Sequence, residues 1–413
     1  MPKKKVVVIG AGIVGSCCAL RLAKDGYSVT LIDKSMPGHG CSFGNAGGIS
    51  SSSIIPMAIP GIWKKIPEWL FDREGPLSVR WKHIPKAFPW LFKWLLESRE
   101  SHAKYAAHTL SELNKDVLNQ YKAILGEEEY NRLIKTTGHL HVFKEKPVSK
   151  GDFFVKSLRD DIGVHYEELY GEDIRNFEPS LSDDIRYALY IGNASYTVNP
   201  HLLVNAVVKK FEEIGGIFVQ DDVKEVIASE AGARVVSRVN THDADFLVVC
   251  AGALSKTLMR KDLDKVMLEN ERGYHLTLMN PSFMPNLPIV SGDHKFFSTP
   301  MNNGLRLAGT VEFSGLSSLP NWSRADTLLS NAKSIFPSLS ASGSEAWVGD
   351  RPSFPSSIPL IDVSPTYKNV FYAFGHGHYG MSGAPGTANI IADMVSGNSQ
   401  KVDITPFSYA MHC

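Results

Sequence analysis

Two glycine-rich segments near opposite ends of the chain carry the residues best suited to holding an anionic ligand. The first is Gly10-Ala-Gly12-Ile-Val-Gly15, with Asp33 eighteen residues beyond Gly15. In that spacing Gly10 permits a tight turn, Gly12 lets the backbone approach a pyrophosphate, and Gly15 lets a helix pack on a strand. Asp33 stands where an acidic residue accepts hydrogen bonds from a ribose. The second segment is Gly375-His376-Gly377-His378-Tyr379-Gly380, followed by Met381. A helix starting there would point its N–H groups and positive dipole end at an anion. Arg351, in Trp347-Val-Gly-Asp-Arg-Pro, is a planar two-pronged donor matched to a carboxylate. Judged on its residues alone, Arg351 is first an ion-pair partner for Asp350 or Asp362.

These groups need elements to position them. Residues 4–9 read as a short buried strand, and apolar Val14, Cys18 and Leu22 form a helical stripe that stops at Gly26. Residues 29–32 read as the next strand, ending at Asp33. Strand, glycine turn, helix, strand and terminal acid together specify a dinucleotide site, in which Ile13 and Val14 carry the helix N-terminus over the phosphates. Residues 369–374 read as another buried strand before the second glycine segment, with a helix from about 387 to 394.

With 413 residues, 43% hydrophobic and 21% charged, the chain has the composition of a globular protein of two domains. Lys+Arg and Asp+Glu both total 43, so no net field favours nucleic acid. The cysteines Cys17, Cys18, Cys41, Cys250 and Cys413 show neither CxxC nor Cys/His ligand spacing, which speaks against a metal site and for a reducing compartment. The basic start lacks a signal peptide's apolar run, and no stretch is long enough to span a membrane, so cytoplasmic residence is expected. No GxSxG elbow follows a strand, so a serine hydrolase is unsupported.

One dinucleotide unit does not choose between FAD and NAD. The loop Cys41-Ser-Phe-Gly-Asn-Ala-Gly-Gly-Ile-Ser50 offers a second set of N–H and OH donors, unless it is a flexible linker. A second strand, glycine turn and helix suits a long cofactor with an electron-rich flavin edge, and counts against an NAD-dependent dehydrogenase.

The pairing of VVVIGAGIVG, SFGNAGG and the C-terminal NVFYAFGHGHYGMSGAPGTANIIADM resembles the D-amino-acid oxidase superfamily of flavoproteins, most of all the bacterial D-amino-acid dehydrogenases. Residues 245–255 are similar to a third sheet signature of that family, which includes Ala251 and Gly252. The resemblance implies FAD as cofactor, held by Gly10, Gly12, Gly15 and Asp33, with Lys34 beside the adenosine and the Val223 backbone at the adenine. Ser42, Asn45, Ala46 and Gly47 would lie near pyrophosphate and flavin, and residues 375–381 along the flavin ring. Arg351 matches the family's substrate-carboxylate arginine. Tyr274 would cap the carboxylate or shield the flavin, or else be a core tyrosine. His378 and His376 read mainly as flavin-edge residues, since a neutral bound amine needs no obligatory protein base.

The implied fold is α/β, with a discontinuous Rossmann-like FAD-binding domain (1–50, 195–265 and 345–413) and a second α+β substrate domain on an antiparallel sheet (51–194 and 266–344). In the first, Asn199 caps a helix opened by Pro200 and carried by Leu203, Ala206, Val207 and Phe211, and strands over 217–219, 223–228, 233–239 and 246–250 complete its sheet. In the second, 274–279 and 305–310 read as strands. Segment 54–99 holds five of the seven Trp mixed with Lys and Arg, as an interfacial segment or a helical lid would.

The activity implied is oxidation of a D-amino acid, or a cyclic D-imino acid such as a proline derivative, by hydride transfer from Cα to flavin N5. The imino acid then gives a 2-oxo acid. Alternatives are a flavin-bearing subunit of a multi-chain dehydrogenase and an oxidase of glycine- or sarcosine-like amines. The expected partners are the amino-acid substrate and an electron acceptor, with quinone or dye ahead of dioxygen, and with a membrane surface or partner subunits left open.

Overall fold

The computed structural model describes residues 3–72 and 75–413. The β-branched run of Lys5–Ile9 is buried beyond its first residue and takes a central place in a six-stranded sheet. The strand order is Ile217–Gln220, Ser28–Asp33, Lys5–Ile9, Phe246–Val249, Val370–Phe374 and Leu360–Val363. All neighbours are parallel except the last pair. Helices Ile13–Lys24, Pro200–Glu213 and Gly380–Ser396 bury an apolar face against it. Asn199 caps the second of these, its side chain accepting from His201 N and Leu202 N.

Two expectations need correction here. Residues 223–244 do not extend the parallel sheet. Val223–Ser229, Gly232–Ser237 and Thr241–Ala244 form a separate antiparallel meander, because their connections are far too short for a parallel crossover. The last helix starts at Gly380, not near 387, and includes Pro385. Proline has no N–H to offer Met381 O, four residues back, but the Tyr121 hydroxyl donates to that carbonyl at 2.7 Å instead. Gly386 lets the helix touch its neighbour, since a Cβ there would stand 2.2 Å from Leu113 O.

A nine-stranded sheet, as counted among the described residues, builds the second half. Its spine is antiparallel: Ala341–Ser353 pairs with Glu269–Pro281, which pairs with Gly304–Phe313. Ala341–Ser353 crosses the expected boundary at 344/345 and stays in this sheet to its end, because its pairing with Glu269–Pro281 runs unbroken in direction from Ala341 to Ser353. Helix Ser323–Ile335 covers one side. Helices Glu100–Asn114 and Val117–Leu125 pack on Gly380–Ser396, and Ile84–Glu97 packs through Trp90 and Trp94 on Phe313 of the antiparallel sheet. Among the described residues, no helix is long and apolar enough to cross a membrane.

Candidate active site

Helix Ile13–Lys24 opens at Gly12, with no side-chain cap and no acid in its first turn. Gly10 has φ +107, and a Cβ there would meet Cys250 O at 2.4 Å, while one at Gly15 would meet Gly10 O at 1.9 Å. The turn can therefore be made only of glycine at both places. Ile13 and Gly15 are buried, whereas Gly12 and Val14 stay half-open. The Asp33 carboxylate accepts from Ala11 N at 2.8 Å and from Ser35 N at 2.9 Å, which fixes it at the end of its strand beside the turn. Lys34 is exposed next to it, and Val223 lies close by because Asp221 N donates to Asp33 O. Ala251 and Gly252 follow the adjacent strand and flank the same turn.

The loop after the second strand is anchored, not a flexible linker. Ser42 Oγ accepts from Ile13 N at 3.0 Å. Arg306 Nη1 donates to Phe43 O and Asn45 O, both at 2.9 Å, and Thr299 Oγ1 donates to Ala46 O at 2.7 Å. Asn45 Oδ1 accepts from Gly47 N at 2.8 Å. These bonds tie residues 42–47 simultaneously to helix Ile13–Lys24 and to the antiparallel sheet.

The second glycine entry lies beside the first. The two helices pack together, and a Cβ on Gly380 would be 4.0 Å from Ile13 Cγ2. Helix Gly380–Ser396 also starts without a side-chain cap or a first-turn acid. Gly375 and Gly377 both have positive φ, which bends the chain sharply ahead of it. His376 points inwards and bonds Thr387 Oγ1 at 2.8 Å, and burial drives its pKa down to about 3. Its side chain is thus held inside the fold by Thr387, while its backbone stays in the glycine segment. His378 is half-buried, 3.0 Å from Met57 Sδ and 3.4 Å from Glu271 Oε2. The Tyr379 hydroxyl donates to Ile55 O, and Met381 is buried with its carbonyl on Tyr121.

Strand alternation decides which residues of the antiparallel sheet face this site. Arg351 pairs with Glu271, Gly349 with Gly273 and Trp347 with His275, so these six side-chain positions share one face. The paired glycines form a floor without side chains of its own, and the Trp347 ring lies over its Gly349 end. Arg351 lies across it, and a Cβ on Gly273 would fall 2.1 Å from its Nη2. Its Nη1 donates to Thr310 O at 3.2 Å, and burial lowers the guanidinium's pKa while nearby Glu271 raises it. The possible partner Asp350 faces the opposite way and pairs with Arg272 at 3.1 Å, while Asp362 accepts from Tyr409 N. The neighbouring strand ends carry buried polar atoms with no hydrogen-bond partner among the described residues: Glu271 Oε1 and Oε2, Thr310 Oγ1 and Ser353 Oγ.

The structure does not bring Tyr274 to Arg351. Tyr274 is one residue out of phase, on the opposite face, where its hydroxyl donates to Glu312 and accepts from Asn321 N at 2.8 Å. Burial and Glu312 hold its pKa near 12. Sequence reasoning passed over Glu271 and Gly273. A glycine inside a strand is the local signal for a close approach, and Gly273 was legible in that way.

Two helix entries side by side whose own N-cap residues supply no side-chain cap, an acid at the strand end beside one of them, and buried polar atoms without hydrogen bonds around an arginine are a donor set that fits a long dinucleotide and a small carboxylate. Comparison with known proteins agrees. Residues 5–394 match the family described as FAD dependent oxidoreductase (DAO), and the chain belongs to it. It is 37% identical to a D-amino-acid oxidase of Bradyrhizobium diazoefficiens, with 99% of each chain covered. It is 29% identical to a D-amino acid dehydrogenase of Rhizobium rhizogenes, covering 99% of this chain and 100% of that one. Its fold is similar to an L-proline dehydrogenase from P. horikoshii (18% identity, TM-score 0.74, 99% and 97% covered). It also matches a glycine oxidase from Geobacillus kaustophilus (18% identity, TM-score 0.73, both chains fully covered). The protein is an FAD-dependent amino-acid oxidoreductase.

Proposed function

We propose that the chain oxidises a D-amino acid, or a cyclic D-imino acid, to the corresponding imino acid, which water then converts to a 2-oxo acid. The observation that carries this is Arg351 lying over Gly273, with its ladder partner Glu271 3.4 Å from His378 of the glycine segment that opens the last helix. Its guanidinium would take the substrate carboxylate through two charge-assisted bonds and so fix Cα. Gly10, Gly12, Gly15, Asp33 and Ser42 would hold the nucleotide half of FAD, and residues 375–381 the flavin half. FAD, when bound, supplies the hydride acceptor. The D preference is supported by the relative at 37% identity, named as a D-amino-acid oxidase. A panel of D- and L-amino acids, D-proline, glycine and sarcosine, scored by anaerobic flavin bleaching, tests this. Bleaching by L-amino acids alone, or by glycine and sarcosine alone, overturns it.

A specific surface supports a membrane-borne electron acceptor such as a quinone. Helix Ile84–Glu97 buries Ala87, Trp90 and Trp94, yet leaves Phe88, Phe92 and Leu95 exposed on another stripe, with Trp81 85% exposed ahead of it. A helix apolar on two sides needs a cover on both. Exposed Lys82 and Lys86 border the stripe, the mixture that docks on anionic bilayers. Cosedimentation with phosphatidylglycerol vesicles, lost in Phe88→Asp/Phe92→Asp, is the expected result. No binding to those vesicles, or equal binding to neutral ones, removes this reading.

A further inference from the structure

Glu271 is completely buried, and among the described residues neither of its carboxylate oxygens has a hydrogen-bond partner. Such a group is costly unless a ligand completes it. Its surroundings identify that ligand. Across the strand ladder stands Arg351 on the same face, and His378 Nε2 from the C-terminal glycine segment is 3.4 Å from Oε2. A fixed cation and a fixed anion on directly paired residues, about 5 Å apart at Cα, match the two charges of an α-amino acid zwitterion. Gly273 and Gly349 add no side chains of their own to this face, over which the Arg351 guanidinium and the Trp347 ring lie.

We propose that Glu271 binds the amino group of the substrate and accepts its proton. This rests on the reading of Arg351 as carboxylate anchor. The substrate ammonium gives one proton to the Glu271 carboxylate, leaving a neutral amine and a carboxylic acid. The nitrogen lone pair then forms the C=N bond as the Cα hydrogen departs with its electron pair to the enzyme's two-electron acceptor, giving the iminium. The Glu271 proton afterwards leaves to solvent past His378. Among the described residues, Arg351 and His378 are the charged or titratable groups recorded against the carboxylate, with Cys41 beyond Arg351.

The test compares wild type, Glu271→Gln and Glu271→Asp as FAD-loaded enzymes. It follows propanoate binding by flavin difference spectra and amino-acid oxidation as a function of pH. For Glu271→Gln, propanoate affinity should hold or improve, while kcat/KM for the best amino acid near neutral pH falls about 10- to 150-fold. The remaining rate should climb with pH until the free amine itself deprotonates, a profile that Glu271→Asp moves back towards wild type. Equal loss of propanoate binding and turnover, or an unchanged pH profile in both variants, overturns the proposal. Failure of wild type to oxidise any amino acid would instead refute the reading of Arg351.

Discussion

Gly273→Ala separates a positional role of the floor from a structural one. The new methyl would sit 2.1 Å from Arg351 Nη2, 2.2 Å from its Cζ and 2.6 Å from its Nη1. Ordinary contact needs about 3.5 Å, so the guanidinium must retreat by more than about 1 Å. What gives way is the free end of a long side chain, not backbone. Gly273 also lacks a positive φ, so alanine suits its strand conformation. Folding and FAD retention should therefore survive. The cost falls on the substrate: losing one or both prongs of a charge-assisted pair is worth about 1.5 to 3 kcal/mol, or about 10- to 150-fold in kcat/KM. A displacement of about 1 Å at a positioning group costs about 100-fold, which agrees. The assay is anaerobic stopped-flow flavin reduction, with FAD content and Tm measured alongside. An unchanged kcat/KM at normal FAD content refutes the placement of the carboxylate over this floor. Loss of FAD or a marked fall in Tm shows instead that the glycine serves the sheet.

Arg351→Lys should be nearly as harmful as Arg351→Ala, because a point-charge ammonium cannot reproduce the two-pronged geometry, and the expected loss is about 2 to 5 kcal/mol in kcat/KM. Amino-acid amides, poor substrates for wild type, should lose little more; equal losses for acids and amides contradict the assignment. Asp33→Ala should weaken FAD retention without changing substrate preference, since bonds to a charged acceptor are worth about 1.5 to 3 kcal/mol each. An FAD affinity equal to wild type in equilibrium dialysis rejects this. Stability should be flat above about pH 6.5 and fall as pH drops towards 4. Burial holds His139 down to about 4, and His275 and His376 to about 3, so below about 6.5 only the unfolded chain gains these protons. At about 1.4 kcal/mol per group per pH unit, the three lose about 6 kcal/mol by about pH 5, which denaturant titrations at the two pH values would reveal.

The nucleotide half was legible because its signals are local. A β-branched run, three glycines, a helical stripe and an acid lie within the first 33 residues, and each fixes backbone geometry by itself. The Asn199-Pro200 helix start was legible for the same reason. The substrate face was not, because facing depends on register. Whether Arg351 or Asp350 meets the ligand, and whether Tyr274 or Glu271 stands beside it, turns on pairing between strands some 80 residues apart. The early start of the last helix was hidden in another way. Pro385 is a local stop signal, and the hydroxyl that offsets it belongs to Tyr121.

The same strand that carries Arg351 also holds the glycine segment in place. Gly377 N donates to Pro352 O at 2.9 Å, and Ser353 bridges His376. Trp90 Nε1 adds a bond to Ser353 O from helix Ile84–Glu97. Arg351, the proposed substrate anchor, is thus one residue away from a backbone bond to the segment proposed to line the flavin, and the two cannot drift apart without breaking the sheet end. In hydride transfer the distance and angle at Cα dominate the barrier, so a short hydrogen-bonded link between the two halves is where rigidity matters most. The side chain of the substrate is constrained by none of these bonds. Residues 51–58 meet the glycine segment through Met57 at His378 and Ile55 at Tyr379, and are proposed as the cover that this side chain would meet. Substrate choice can then vary through that cover while the frame that orients Cα stays fixed.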